Sequence, residues 1–340
     1  MKMKVANFLC AAALCCAMAT TSFAGEPNPM VSKSIATIED QLGSLPDITG
    51  QERIGVLVIT LSNPYWVTMK ERYGEWAKEM GISVEVMAAP TEKDLKSQLN
   101  TLEAMVAKKY DGIIVTPMDP FNLIPGIVKA DEKGIPVVCS GPEVSRDGLK
   151  QAGAVMDGWI TATFKDQGRL CAEDMGKKLP SGSEVAIIEG IPGAGQSKAR
   201  REGASEGFEK AGLKLVAVEA GNWDRNRAYD ITTNLVKAHP KLKGIYCAND
   251  MMALAAVDAL EVAGIKDVTV YGTDFIPEAA EAIKSGRLAG STTFSQAAWT
   301  RGALVYTLKL IKKDEDLPEK LSVPITLVNG ENIGQFQGWK

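Results

Sequence analysis

The stretch IGVLVITLSNPYW, residues 54–66, decides the fold of this 340-residue chain. Its first six residues are apolar, rich in β-branched side chains and too few for a helix, which is typical of a parallel strand buried on both faces. Pro64 then suits the first turn of a helix, with Asn63 or Ser62 as its cap. The loop between them lies at the carboxyl end of a first parallel strand, where open α/β sheets bind ligands.

The same loop contains residue types that suit a ligand pocket. Tyr65 and Trp66 are adjacent aromatic residues beside the amide of Asn63. An amide next to flat apolar rings suits a small neutral ligand rich in hydroxyl groups, or a small cation. We therefore treat the rest of the chain as the frame of this pocket.

Length and composition limit the class of protein. A chain of 340 residues is long enough for two domains, and 45% hydrophobic and 24% charged residues are ordinary for a globular protein. The formal net charge of −4 argues against nucleic acid as a partner, because few phosphates could be neutralised. No second apolar stretch after the N-terminus is long enough to span a membrane.

The N-terminus predicts export. Lys2 and Lys4 precede an apolar segment that ends near Ala19, and Ser22-Phe23-Ala24 forms a small-residue cleavage site. This is the pattern of a secretory signal peptide, residues 1–24, cut after Ala24. An uncleaved membrane anchor is the alternative, although the apolar run is short for one. Residues 25–53 are then an N-terminal arm, with a short helix predicted over 32–42.

Three cysteines remain after the predicted cleavage, namely Cys139, Cys171 and Cys247. Their odd number and aliphatic neighbours predict buried free thiols rather than a disulfide framework. One pair could still close in an oxidising compartment.

Strands and helices alternate from residue 54 onward, which predicts parallel sheets with helices on both faces. The alternation restarts after a looser segment, residues 158–168, and so predicts two similar lobes. The expected lobes are 54–157 plus 293–323 and 158–292 plus 324–340, with crossings near Met156, Thr293 and Pro324. Further strands are predicted over 83–88, 112–116, 135–140, 152–156, 184–189, 213–220, 244–248, 268–272, 288–292 and 322–328.

Catalytic chemistry is hard to place. The only histidine, His239, lies in the polar sequence Lys-Ala-His-Pro at a predicted helix end, where a surface role is expected. One histidine and scattered cysteines do not make a zinc site, and we predict neither a metal nor a cofactor. The glycine-rich loop 190–198 follows a strand and could hold a phosphate, but it lacks the glycine spacing and the Gly-Lys-Ser/Thr ending of nucleotide loops.

Polar or aromatic residues recur after successive strands of the second half. Arg200, Trp223, Asn249 and Asp274 stand there, with Asp250 beside Asn249. Each has a structural alternative: a solvated helix face for the arginine, core for the tryptophan, a cap or turn for the others. Together, at one end of successive strands, they favour a ligand site in a cleft between the lobes.

Residues 54–328 resemble the ribose/galactose-type periplasmic solute-binding proteins of ABC transporters. The resemblance is carried by Ser62-Asn63-Pro64-Tyr65-Trp66, Asp111-Gly112-Ile113-Ile114-Val115-Thr116-Pro117, Gly134-Ile135-Pro136-Val137-Val138, Arg200-x-x-Gly203, Ala248-Asn249-Asp250-x-Met252-Ala253-Leu254 and Gly272-Thr273-Asp274. It implies an α/β fold of two Rossmann-like lobes joined by a three-crossover hinge, the type I periplasmic binding protein, closing over one ligand.

The resemblance also assigns the pocket. Asn63, Tyr65 and Trp66 would be the share of the first lobe. Arg200, Trp223, Asn249 and Asp274 would be the share of the second.

One departure from the family pattern removes two charged residues from the expected pocket. Gly141-Pro142 stands where sugar binders of this family often carry Asp-Arg. Phe294 is expected where a late glutamine is common, and Trp159 is expected as a further ring near the crossover. The site should therefore be more apolar and aromatic than a ribose site.

The resemblance implies a non-enzymatic, monomeric periplasmic protein that captures a small sugar, polyol or sugar-like signal for a membrane permease. A likeness to the periplasmic partner of the trimethylamine-N-oxide sensor kinase, through Tyr65-Trp66 and loop 192–198, leaves an alternative: a methylated amine bound for a receptor kinase. An enzyme on a doubly wound fold would need a base and a cofactor site. A sugar-responsive repressor would need a DNA-binding headpiece and no export signal.

Overall fold

The computed structural model describes residues 28–314 and 316–336. The predicted signal peptide and Cys10, Cys15 and Cys16 within it lie outside the described residues. Twelve strands form two six-stranded sheets, and eleven helices and a 3₁₀ turn accompany them within the described residues. The predicted α/β alternation is confirmed.

The first sheet has the strand order β11-β5-β4-β3-β1-β2, and its pairs are parallel. We call this sheet with its helices the first lobe. Its strands are β1 (Arg53–Thr60), β2 (Ser83–Ala89), β3 (Gly112–Val115), β4 (Val137–Ser140), β5 (Gly158–Thr161) and β11 (Lys320–Ser322).

The second sheet has the order β12-β10-β9-β8-β6-β7, and β12 alone pairs antiparallel. We call this sheet with its helices the second lobe. Its strands are β6 (Glu184–Glu189), β7 (Lys214–Ala220), β8 (Leu242–Cys247), β9 (Thr269–Thr273), β10 (Gly290–Thr293) and β12 (Thr326–Asn329).

Helices cover both faces of each sheet, so the central strands are buried on both sides, as parallel strands require. The helices are α1 (Pro29–Leu42), α2 (Pro64–Met80), α3 (Leu95–Ala107), α4 (Ile124–Asp131), α5 (Arg146–Ala152), α6 (Phe164–Lys178), α7 (Gly195–Lys210), α8 (Arg225–Ala238), α9 (Asp250–Val262), α10 (Pro277–Lys284) and α11 (Gln296–Ile311), and the 3₁₀ turn is Ile333–Phe336. Across the described residues, no helix has the length and apolarity that a membrane span needs.

The strand predicted over 152–156 is wrong. Ala152 is the last residue of α5, and Gly153 follows it with φ +68°, the left-handed conformation that ends many helices. Val155, whose apolar side chain suggested a buried strand, is 58% exposed. The strand is β5, and it pairs within the first sheet. The first crossing between the sheets therefore follows Thr161, whereas the prediction had it near Met156.

The N-terminal arm contains a helix, as predicted. Asn28 caps α1, whose apolar side packs on α11 of the first lobe, where Ile38 is 1% and Leu42 4% exposed. The amide of Asn28 also donates to the carbonyl of Gln335 over 2.8 Å. Helix α1 thus links the first lobe to the C-terminal turn.

The three cysteines are buried free thiols, as predicted. Burial raises the pKa of the Cys139 thiol to about 12 and raises that of Cys171 and Cys247 as well. These thiols are core residues without nucleophilic character.

Candidate functional site

The two lobes line a shared cavity at the carboxyl ends of their strands. Both lobes contribute to its lining, so a molecule held there would contact each of them. The lining residues are Asn63, Tyr65, Trp66, Met69, Glu92, Ser140, Gly141, Pro142, Phe164, Gln196, Arg200, Trp223, Asn249, Asp274, Phe294 and Trp299.

Most of the residues expected from the sequence are brought together here. Eight of the nine line the cavity, namely Asn63, Tyr65, Trp66, Arg200, Trp223, Asn249, Asp274 and Phe294.

Trp159 does not line the cavity, and this expectation is corrected. It lies on β5, is 4% exposed and packs in the core cluster of the first lobe with Leu57. The guanidinium carbon of Arg146 lies 4.6 Å from its ring centroid. Because its strand is inside the first sheet and not in the crossover, its ring fills the lobe.

The loop after β1 positions the first-lobe residues through a helix cap. Asn63 Oδ1 accepts a hydrogen bond from the backbone N–H of Tyr65 over 3.0 Å, while Pro64 fills the first turn of α2. The other end of the amide, Nδ2, donates to Glu92 Oε1 over 3.2 Å. Asn63 therefore holds the carboxylate of Glu92 at the cavity edge.

Arg200 is held from three directions in the second lobe. Its Nε donates to Gln167 Oε1 over 2.8 Å and its Nη1 to the carbonyl of Ala248 over 2.7 Å. Nη2 lies 3.5 Å from Asp274 Oδ1. These bonds fix the guanidinium plane, and its carbon also lies 5.8 Å from the ring centroid of Trp223.

Asp274 follows β9 in a strained turn. Its φ is +112° and that of Phe275 is +55°, both unusual for residues with side chains. The buried carboxylate of Asp250 holds the turn, since it accepts hydrogen bonds from the backbone N–H of Ile276 over 2.9 Å and from Ser291 Oγ over 2.7 Å. Asp250 is thus a positioning residue beneath the site.

Two glycines make room for this arrangement. A Cβ on Gly272 would lie 2.1 Å from Asp250 Oδ1, and one on Gly190 would lie 2.0 Å from Trp223 Cζ2. Neither approach is compatible with a side chain, so these glycines admit the carboxylate and the indole ring.

Asn249 is a helix cap and also a cavity residue. Its Oδ1 accepts from the backbone N–H of Met252 over 3.0 Å, and the side chain is almost wholly buried. Because Oδ1 is engaged at the start of the helix, Nδ2 is the atom of this cavity-lining side chain that can donate to a bound molecule.

The cavity has two carboxylates and one guanidinium. Burial raises the pKa of Glu92 to about 6, against the opposing effects of Asn63 and Arg200. Burial also raises the pKa of Asp274, Arg200 lowers it, and the nearby charge of Glu92 raises it further. Buried carboxyl groups of this kind are stabilised by hydrogen-bond donors of a ligand.

Aromatic rings form a continuous series on the first-lobe side. Tyr65 meets Trp66 edge to face at 4.8 Å and Phe294 at 6.2 Å, and Phe294 stacks on Trp299 at 4.4 Å. Trp299 Nε1 donates to Ser140 Oγ over 2.8 Å. The rings therefore reach Gly141-Pro142, where the sequence lacks the expected Asp-Arg pair.

Sequence reasoning missed several lining residues. Glu92 lies in a loop after β2 and had no motif to mark it, and Trp299 fits the apolar pattern of α11 like any core residue. Gln196 belongs to the glycine-rich loop, which was considered for phosphate binding and for the sensor-partner likeness but not as a source of a sugar-binding side chain. The others are Met69, Ser140 and Phe164.

The chemistry available is binding. Among the described residues, no group of three or more His, Cys, Asp or Glu could hold a metal ion. Flat rings cover C–H surfaces, while the carboxylates, amides and guanidinium match hydroxyl groups. The arrangement suits a small polyhydroxylated molecule.

Comparisons with known proteins agree with this. Residues 54–315 match the family described as "Periplasmic binding protein domain". The chain is 40% identical over 245 residues to the D-allose-binding periplasmic protein of Escherichia coli, covering 71% of this chain and 79% of that protein. It is 29% identical over 282 residues to the D-ribose/D-allose-binding protein of Pseudomonas aeruginosa, covering 81% and 88%.

A solved structure is similar over most of the chain. It is an ABC transporter periplasmic solute-binding protein from Actinobacillus succinogenes with bound D-allose, 33% identical, with a TM-score of 0.80. The alignment covers 83% of this chain and 99% of that one.

Proposed function

Because this chain belongs to the periplasmic binding protein family, we propose that it binds a monosaccharide between its lobes and delivers it to the permease of an ABC importer. The single observation that carries the proposal is the cavity lined from both lobes, where Glu92 of the first lobe and Arg200 and Asp274 of the second lie among aromatic rings. Membership in a family of binding proteins agrees with the prediction of a non-enzymatic protein.

D-allose is the first ligand to test. Two relatives are named for it, and the solved structure described above contains it. The proposed ligand-binding residues are Asn63, Tyr65, Trp66, Arg200, Trp223, Asn249, Asp274 and Phe294, joined by Glu92.

Ligand contact with both lobes is also the basis of closure. A ligand favours the closed state only by its differential contacts in that state. Here the hydroxyls would donate to Glu92 of the first lobe and to Asp274 of the second. The proposed lobes follow the predicted division, 54–157 plus 293–323 and 158–292 plus 324–340, except at the first boundary. That boundary follows Thr161, so residues 158–161 belong to the first lobe.

We also propose export to the periplasm with cleavage after Ala24. N-terminal sequencing of the protein recovered from the periplasm should begin at Gly25. A start at any other residue contradicts this cleavage site.

The experiment is a binding screen on protein that has been unfolded and refolded to remove carried ligand. D-allose, D-ribose and other monosaccharides and polyols are added in thermal-shift assays, followed by calorimetric titration of each positive compound. A specific ligand raises the melting temperature by mass action. Trimethylamine N-oxide tests the sensor alternative, which the relatives reported above do not support. If no sugar or polyol stabilises the protein, the proposal is wrong.

A further inference from the structure

The cavity has two unlike walls. The apolar wall is formed by Met69, Gly141, Pro142, Phe294 and Trp299 of the first lobe, together with Ser140, which also lines the cavity. The polar wall is formed by Glu92, Gln196, Arg200, Asn249 and Asp274.

The apolar wall offers a ligand little to hydrogen-bond with. Its two hydrogen-bonding side-chain atoms, Ser140 Oγ and Trp299 Nε1, are bonded to each other over 2.8 Å. Trp299 is 2% exposed and is fixed by its stack on Phe294. The backbone N–H of Gly141 is bonded as well, to the carbonyl of Ile160 over 2.8 Å.

The polar wall, by contrast, has hydrogen-bond acceptors with few or no partners. The side-chain oxygen of Gln196 is buried and has no hydrogen-bond partner among the described residues. The carboxylate of Glu92 accepts a single side-chain bond, from Asn63, and Asp274 has only the long contact with Arg200. Buried acceptors of this kind need donors from a ligand.

We propose that the ligand is a deoxy or methyl-bearing monosaccharide whose hydroxyl-free end lies against the apolar wall. This inference rests on the proposed function. Its hydroxyl groups then face the polar wall. A fully hydroxylated sugar would bury one hydroxyl against Trp299 and Pro142 without a partner. Losing the bonds of that hydroxyl to water without replacement weakens binding by about tenfold or more.

The test compares parent sugars with their deoxy forms by calorimetry on ligand-free wild-type protein. The pairs are D-allose and 6-deoxy-D-allose, D-galactose and D-fucose, L-mannose and L-rhamnose, and D-ribose and 5-deoxy-D-ribose. The deoxy member of at least one pair should bind about tenfold tighter or more than its parent. If every parent binds as tightly as its deoxy form, this inference is wrong while the proposed function stands. If no sugar of any kind binds, both are wrong.

A variant tests the wall itself. Trp299→Phe removes the indole N–H and leaves Ser140 Oγ able to accept a hydrogen bond from a ligand hydroxyl. The preference for the deoxy sugar should therefore fall at least about threefold. Trp76→Phe is the matched control, because Trp76 Nε1 donates to the carbonyl of Ala297 over 2.9 Å outside the cavity. An unchanged preference in Trp299→Phe overturns the assignment of this wall. If that variant does not fold, the wild-type ratios decide.

Discussion

Arg200 and Asp274 form an ion pair in which Nη2 lies 3.5 Å from Oδ1, and each side chain is 8% exposed. The distance is long for a charge-assisted hydrogen bond, whereas two other nitrogens of the guanidinium are bonded at 2.7 and 2.8 Å. The pair therefore leaves Asp274 able to accept from a bound molecule.

Asp274→Asn should weaken sugar binding about 10- to 100-fold, because a neutral acceptor replaces a charge-assisted one. The melting temperature of the ligand-free protein should change little, since Arg200 keeps its bonds to Gln167 and Ala248. Calorimetry measures the first effect and thermal unfolding the second. A large loss of ligand-free stability with unchanged affinity would make Asp274 a structural residue.

Trp66 and Trp159 should respond in opposite ways. Trp66→Ala removes a ring from the cavity and should weaken binding at least about tenfold with the fold retained. Trp159→Ala removes a core ring and should lower the free energy of unfolding by about 3–5 kcal/mol. Denaturant unfolding and titration of the folded fraction separate the two effects. A Trp159→Ala protein with native stability and lost affinity would restore Trp159 to the site.

The stability of the ligand-free protein should depend on pH through Glu92. Its pKa is raised from an ordinary 4.5 to about 6, so the folded state binds a proton more tightly than the unfolded state does. Stability from this group is therefore full below 4.5, falls as the pH rises to about 6 and stays low above it. The loss is at most about 2 kcal/mol.

Glu92→Gln should remove this part of the pH dependence. Denaturant midpoints measured from pH 4 to 8 for both proteins are the check, and Glu103→Gln, at a residue that does not line the cavity, is a suitable control. Identical profiles for wild type and Glu92→Gln would refute the assignment.

Gly272→Ala should disturb the binding site by displacing the side chain of Asp250. Its Cβ would meet Asp250 Oδ1 at 2.1 Å, and Asp250 holds the turn that follows Asp274. We expect a loss of both stability and affinity, because moving the carboxylate releases the turn. Gly286→Ala is a comparison at a glycine with φ +75° and open space around its Cβ, where affinity should be unchanged. Native affinity in Gly272→Ala would show that Asp250 has no positioning role.

The sequence was sufficient where local pattern and chain order agree. A buried strand followed by an Asn-Pro helix start placed Asn63, Tyr65 and Trp66 at the carboxyl edge of a sheet, and the same logic placed Arg200, Asn249 and Asp274. These predictions rest on strand ends and on the family resemblance, and all six residues line one cavity.

It was insufficient where position depends on packing between distant segments. Glu92 is drawn to the cavity by Asn63, which no spacing reveals, and Trp299 faces the cavity only because of how α11 lies on the first lobe. Trp159 was misplaced because a ring near a crossover can point into a lobe as well as into a cleft. Residues 152–156 were misread because Gly153 ends a helix there.

Helix α1, near the N-terminus, packs on α11, which lies near the C-terminus. Ile38 and Leu42 are buried against α11, and Glu39 pairs with Arg301 at 2.7 Å. The surface that covers these residues is therefore incomplete without residues 296–311, and α1 cannot dock in a chain that lacks them. Amide hydrogen exchange or limited proteolysis within residues 29–42 would therefore report whether the two ends of the chain are joined in the folded molecule.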